Sequence, residues 1–296
     1  MLSPEIIKKI KKVHIKSRRL VNTQMAGQYK SVFKGSGIEF EEVREYSPGD
    51  EVKSIDWKVS ARLGKPYIKL YREERELVIM LLVDMSASGI FGTTSTTKKE
   101  TMAEIAAILA FNAIKNNDKV GALLFTDHVE KYIPPKKGSA HVWRLIKEIF
   151  SFEPKKTGTD LRNTIQYLGR VCRKRSTIFL ISDFLSSDQP PDIALWLKPA
   201  GKKHELITVL VDDPMDYHLP KAGIITMQDL ESLARYHFDG FDKTTRKQYT
   251  KQKKGELQEL LAAFKSRDLD CIQISTAASA ADELLKYFRR REKRKR

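Results

Sequence analysis

Leu77-Val78-Ile79-Met80-Leu81-Leu82-Val83-Asp84-Met85-Ser86-Ala87-Ser88 is the stretch on which the fold turns. Its seven consecutive apolar residues fall far short of the roughly 18 needed to cross a bilayer, and read as a buried strand. The run ends on a carboxylate followed by hydroxyls at alternate positions. In an open α/β sheet, side chains just past the carboxyl end of a strand project into the crevice where such folds bind ligands. An acid with two hydroxyls offers only hard oxygen donors, a set that suits Mg²⁺, Mn²⁺ or Ca²⁺ and disfavours zinc or copper.

Downstream, strands are expected at Lys119 to Phe125, Val129 to Ile133, Thr177 to Ser182, Glu205 to Val211 and Asp270 to Ser275. Helical patterns lie between them at Lys99 to Lys115, Ala140 to Phe150, Asp160 to Arg173 and Asp192 to Leu197. A long polar helix follows near Lys243 to Ser266, and a last one runs from Ala278. This alternation implies a mainly parallel sheet with helices on both faces, because parallel strands need crossover connections. Val129 to Ile133 follows its predecessor after only Thr126-Asp127-His128, too short for a helical crossover, so that strand is antiparallel.

Two more strand ends bring oxygens toward the same edge: Thr157-Gly158-Thr159-Asp160 leading into a helix, and Ser182-Asp183 after an apolar strand. Alone, Asp-x-Ser-x-Ser is a weak signal, since Asp and Ser after a strand are also common caps and turn residues. Its place on the first strand, together with the two other loops, favours the metal reading.

Upstream, Ser3-Pro4-Glu5 starts an amphipathic basic helix, read as docked on the domain. Gln28 to Glu76 changes to short alternating stretches broken by Gly and Pro, read as strands and turns. Within it, Phe40, Tyr46 and Trp57 are expected in the core, and Arg44, Asp50 and Asp56 in ion pairs. The expected division is therefore an extension over residues 1–76, packed on a main α/β domain over residues 77–296.

The net charge of +16 over 296 residues sits at the ends: residues 1–34 hold nine Lys/Arg and one acid, and residues 286–296 hold eight and one. The 251 residues between carry +1, which disfavours a nucleic-acid wrapping protein. The tail Arg289 to Arg296 reads as a solvated helix end, with acidic lipid, nucleic acid or an acidic ATPase surface as alternatives. Two cysteines, Cys172 and Cys271, form no disulfide framework or zinc cluster. With no secretory signal pattern, a cytoplasmic protein is expected, peripheral at the inner membrane if the basic ends anchor it. Phosphate-loop, dinucleotide, zinc-protease and hydrolase-elbow motifs are all missing.

The ordered set Asp84, Ser86, Ser88, Thr159 and Asp183 resembles the metal-ion-dependent adhesion site of the von Willebrand factor A domain. The upstream run Gly35 to Phe40, Arg44 to Asp50, Ile55 to Trp57 and Ser60 to Arg62 is similar to the bacterial domain-of-unknown-function family fifty-eight, which couples this block to an A-type domain. The resemblance implies a Rossmann-like sheet with one antiparallel edge strand. It also implies Ser86 and Ser88 as direct ligands, Thr159 direct or through water, and Asp84 and Asp183 through water or directly. The metal then keeps an open position for a carboxylate of a partner. Family members are often associated with MoxR-type AAA+ ATPases. Where many relatives have Met after the last Ser, this chain has Gly89-Ile90, followed by a loop rich in hydroxyls.

The expectation that follows is a non-enzymatic, Mg²⁺-dependent protein-interaction module working with such an ATPase. A phosphatase or nuclease using Asp84 is the enzymatic alternative, but a phosphoaspartyl enzyme wants a second acid where Ser86 stands. Anchoring of the basic termini to acidic lipid or nucleic acid is a third, auxiliary reading.

Overall fold

The computed structural model describes residues 39–72, 77–185, 190–230 and 233–295. The basic N-terminal helix expected after Ser3 lies outside them. The chain divides into two compact units, one over Phe33–Leu77 and the other carrying Val78–Arg296.

In the smaller unit, β1 (Glu39–Glu45) pairs antiparallel with β2 (Tyr67–Arg72), and between them lies α1 (Trp57–Leu63). This helix was not expected among the strands and turns. It forms because Asp56 caps its start, accepting from Lys58 N at 3.0 Å and Val59 N at 3.3 Å, and because Gly64 ends it in the left-handed conformation at φ +73°. Arg44 grips Asp50 through two bonds of 2.7 and 2.8 Å, and Lys69 pairs with Asp56 at 3.3 Å, as expected of these acids. Trp57 corrects the core reading: it occupies the first turn of α1 with its side chain outward, 69% exposed, and Tyr46 is only half-buried. Phe40 has no described side chain.

The larger unit is built on β3 (Val78–Asp84), β4 (Lys119–Phe125), β5 (Val129–Lys136), β6 (Thr177–Ser182), β7 (Glu205–Asp212) and, much later in the chain, β10 (Asp270–Ser275). The sheet order is β10-β7-β6-β3-β4-β5, parallel throughout except for β5, which runs antiparallel to β4 at the edge. β3, β4, β6 and β7 are buried along almost their whole length, as strands covered on both faces must be.

One face carries α2 (Lys98–Lys115), flanked by α3 (Ser139–Ser151) and α7 (Ala280–Lys295). α2 is apolar nearly all round because it lies against four strands and two helices at once. The other face packs Met80, Leu82, Leu123, Phe125, Ile178 and Leu180 against α4 (Leu161–Val171), α5 (Pro190–Lys203) and α6 (Lys243–Lys265). A short hairpin, β8 (Ile224–Gln228) with β9 (Arg235–Asp239), stands between β7 and α6 and has no counterpart among the expected strands. α5 also runs past its expected end at Leu197, carrying Pro199 inside the helix. The C-terminal helix is not simply solvated: Arg291 pairs with Glu205 and, at 3.2 Å, with Asp270, drawing the basic tail onto the starts of β7 and β10.

Candidate functional site

The order of strands fixes where a crevice forms. After β3 the chain builds outward through β4 and β5, then returns to the opposite side of β3 with β6 and continues through β7 and β10. The direction reverses between β3 and β6, and the switch point lies at their carboxyl ends. Asp84 is the last residue of β3, Ser182 the last of β6, and Asp183 follows it.

Asp84 is buried and held at both oxygens: Oδ1 accepts from Ser86 N at 2.9 Å, and Oδ2 accepts from Ser182 Oγ at 2.6 Å. Ser182 Oγ in turn accepts from Phe184 N at 2.9 Å. Burial and then the nearby charge of Asp183 push the Asp84 carboxyl up to about 6. Past Asp84 the chain turns through a short 3₁₀ segment, Ala87–Ile90, which brings the Ser86 and Ser88 hydroxyls to 2.9 Å from each other. Ser86 is buried and Ser88 half-buried, so the pair presents oxygens at the rim.

The threonine loop is tied to this turn through the main chain. Ala87 N donates to Thr157 O at 2.9 Å, and Asp160 N donates to Thr126 O at 3.0 Å. Thr159 lies half-buried between these anchors, and Asp160 itself is the cap of α4, accepting from Asn163 N at 2.8 Å. The structure thus links Asp84, Ser86 and Ser88 through direct hydrogen bonds, sets Asp183 within electrostatic reach of Asp84, and fastens the Thr159 loop to the same turn. Among the described residues no group of three or more His, Cys, Asp or Glu is arranged to hold a metal. The donors gathered here are two carboxylates and hydroxyls, which fit a hard cation and lack zinc's preferred nitrogen and sulfur.

One cation already stands beside them. Lys98, at the first turn of α2, is 1% exposed and places Nζ 3.3 Å from Asp183 Oδ2 and 2.8 Å from Asp216 Oδ2. Burial alone would lower the ammonium, but the two carboxylates outweigh it and hold its pKa above the ordinary lysine value. Asp216 belongs to a 3₁₀ turn, Pro214–Asp216, after β7, where its carboxylate also accepts from Asp213 N at 2.7 Å. Buried Asp213 accepts from Thr93 N at 2.9 Å, from the Thr93 hydroxyl, and from Thr276 Oγ1 at 2.7 Å. Gly92 makes this loop possible, since a Cβ there would meet Thr96 O at 2.7 Å.

The hydroxyl-rich segment is therefore docked on the ends of β7 and β10. Sequence reasoning passed over Lys98, Asp213 and Asp216. The available signal was Asp212-Asp213-Pro214 at the end of a strand adjacent to β6.

The family DUF58, described as a protein of unknown function, matches residues 42–259. An uncharacterized protein of Mycobacterium tuberculosis is 30% identical over 234 residues, covering 77% of this chain and 72% of that protein. The uncharacterized YeaD of Bacillus subtilis is 30% identical over 108 residues, covering 36% of this chain and 25% of that protein. Among solved structures, BatB of Bacteroides thetaiotaomicron superposes with a TM-score of 0.49 at 16% identity, over 73% of this chain and 99% of that one. The SpRpn10 VWA domain does so with a TM-score of 0.44 at 13% identity, over 71% and 94%. The family match spans well over half the chain, and the mainly parallel α/β sheet is the one the resemblance implied: the chain belongs to the DUF58 family.

Proposed function

We propose that this chain is a non-enzymatic interaction module that binds a partner protein through a divalent cation, Mg²⁺ or alternatively Mn²⁺ or Ca²⁺, held by Asp84, Ser86, Ser88, Thr159 and Asp183. The observation that carries the reading is the pair of hydroxyls 2.9 Å apart beside two buried carboxylates at the switch point of the sheet. When bound, the ion supplies a positive charge, little diminished by neutral hydroxyl ligands, that attracts one more anionic oxygen. The chain's own residues do the positioning. Ser182 and the Ser86 amide fix the Asp84 carboxylate, and the Ala87–Thr157 bond keeps the threonine loop at the rim. Burial of Asp84 close to the charge of Asp183 is the electrostatic ground for an added cation.

In this reading the missing ligand is an Asp or Glu side chain of the partner, and the partner is a MoxR-type AAA+ ATPase in an assembly or regulatory role. That assignment rests on the family resemblance. Arg290 and Lys293, exposed on α7, are assigned to an acidic surface, either of the partner or of the inner membrane beside which a cytoplasmic protein would lie. No helix among the described residues is long and apolar enough to cross a membrane.

Thermal unfolding of the full chain with MgCl₂ and with EDTA tests the metal. At 100 times the dissociation constant the ion should add about 2.7 kcal/mol, a rise of several degrees. Asp84→Asn and the double change Ser86→Ala with Ser88→Ala should each remove the rise while leaving the far-ultraviolet spectrum intact. Equal melting of the native protein in both buffers would overturn the metal reading. ATPase capture that survives EDTA would overturn the carboxylate bridge.

A further inference from the structure

We infer that the first half of α6, with the segment that follows the turn after β7, forms a binding site for a compact oligophosphate whose wall contains none of the five proposed metal ligands. The sequence between Lys243 and Lys254 holds six Lys/Arg and no acid, in the part of the chain, residues 35–285, whose net charge is only +1 with these six included. The fold gathers five of these cations, Lys243, Arg246, Lys247, Lys251 and Lys254, around one cleft of about 420 Å³. His218, Leu219 and Thr250 complete its walls.

This concentration works against the helix that bears it. Lys243, Lys247 and Lys251 succeed one another at i,i+4, where like charges cost about 0.2–0.5 kcal/mol per pair. Cations in the first turn also oppose the helix dipole. The acid at the helix start, Asp242, caps the helix by accepting from Thr244 N, Thr245 N and the Thr245 hydroxyl, and its single charge leaves the cations in large excess. Among the described residues none of the five cations has a salt bridge, whereas Lys253, on the same helix but outside the cleft, pairs with Glu256 at 2.7 Å. Arg246 adds an independent sign: its Nε is buried and has no hydrogen-bond partner. A buried donor of a charged group left unmatched costs well over 1 kcal/mol, and Arg246 is one of the residues that line the cleft.

The shape and lining select the ligand. The cleft is open toward solvent, which suits a strongly hydrated, charged ligand. The cations run from Lys243 to Lys254 along one helix face for about 16 Å, at 1.5 Å per residue. Leu219 is the only aliphatic residue in the wall, which otherwise presents the five cations, Thr250 and His218. A chain of linked phosphates, all oxygen and charge, matches it. Such a chain exists free or as the tail of a nucleoside triphosphate, and both present the same group.

Calorimetric titration of the full-length protein with inorganic tripolyphosphate, in EDTA and 0.15 M salt, tests the site. One equivalent should bind. The triple change Lys247→Gln, Lys251→Gln, Lys254→Gln, all exposed lysines, should weaken binding at least about tenfold. The matched triple change Lys53→Gln, Lys58→Gln, Arg62→Gln in the smaller unit removes the same charge and should alter it less than about twofold. ATP binding as tightly as tripolyphosphate identifies the nucleotide tail as a source, and ATP binding more weakly identifies the free chain; either supports the site. Absence of binding by the native protein overturns it, as does equal weakening by both triple variants. Duplex DNA or anionic vesicles engaging the cleft in place of tripolyphosphate would likewise overturn it, replacing it with a general polyanion face. Because the titration contains no divalent ion, its outcome is independent of the metal reading.

Discussion

The two charged regions of the larger unit follow opposite rules. At the carboxyl ends of β3, β6 and β7, Asp84, Asp183, Asp213 and Asp216 lie in or near the protein interior, and the fold answers them with Lys98, with hydroxyls and with main-chain amides. Along α6, five cations line an open cleft, and none of them has an acidic partner among the described residues. Desolvation explains the contrast. An unmatched buried charge costs several kcal/mol, so it is retained only with a counter-charge, while an exposed lysine costs a few tenths and need not be answered. What is answered inside the fold reports on stability and positioning; what is left unanswered at the surface points outward, to a ligand.

The sharpest way to break the comparison is to unbalance the buried side. Lys98→Met keeps an unbranched side chain of similar bulk but leaves Asp183 and Asp216 facing each other with no cation. Removing one partner of a buried pair typically costs 3–5 kcal/mol, so urea unfolding in EDTA should show a loss of about that size. If Asp183 helps hold the ion, MgCl₂ should stabilise this variant more than the native protein, since the ion then replaces the lost ammonium. Lys251→Gln in the cleft is the counterpart and should fall within about 0.5 kcal/mol of native. A loss at Lys98 as small as that at Lys251 would sink the contrast.

A middle-sized effect is expected where the buried acid is answered by neutral donors. Asp213→Asn keeps the shape but turns charge-assisted bonds from Thr93, Thr276 and Met215 N into neutral ones, and reverses the donor sense at one oxygen. Burial works against the Asp213 charge, yet these donors outweigh it and hold the carboxyl below the usual carboxylate range. The variant should lose about 1.5–3 kcal/mol, less than Lys98→Met, with the loss read from urea midpoints at an unchanged slope. Thr93→Val, which keeps the backbone donor, should lose less still. Equal losses at Asp213 and Lys98 would mean that hydroxyls match an ammonium as partners for a buried acid.

How far the sequence reaches follows from the same physics. Lys119 to Phe125 and Thr177 to Ser182 were legible to the residue, because buried strands flanked by turn-forming or polar residues leave apolar runs. Asp270 to Ser275 was equally legible because this edge strand alternates, with Ile272 and Ile274 buried and Gln273 exposed between them. β8 and β9 were not, since both are short and largely exposed, and Ile224, at 82% exposure, leaves no buried face for a pattern to mark. Trp57 misled because size and aromaticity suggest burial, while its place in the first turn of a short helix turns it outward. Asp84, Ser86 and Ser88 could be read together because one local turn carries all three. Lys98 could not, because its partners stand 85 and 118 positions away and a Lys-Lys pair at a helix start looks like solvated surface.

The smallest expected effect tests the converse case, a buried polar group that the fold leaves neutral. His204 follows α5 and is 2% exposed, and neither ring nitrogen has a hydrogen-bond partner. Burial, then the charges of Lys203 and Arg175, depress its pKa below the ordinary histidine value of 6.5. The unfolded chain therefore takes up the proton first as pH falls, so this residue's contribution to stability is intact above about pH 7. It declines as pH drops through 6.5 and levels off below the folded-state pKa. His204→Leu removes both the titration and the two unmatched nitrogens. Its stability should change less than the native protein's between pH 7 and pH 5, by at most about 1.4 kcal/mol per unit, and should at pH 7 match or exceed it. Parallel pH profiles for the two proteins would show that His204 gains its proton without cost, and the rule that this interior tolerates only matched or neutral groups would fail at its most modest instance.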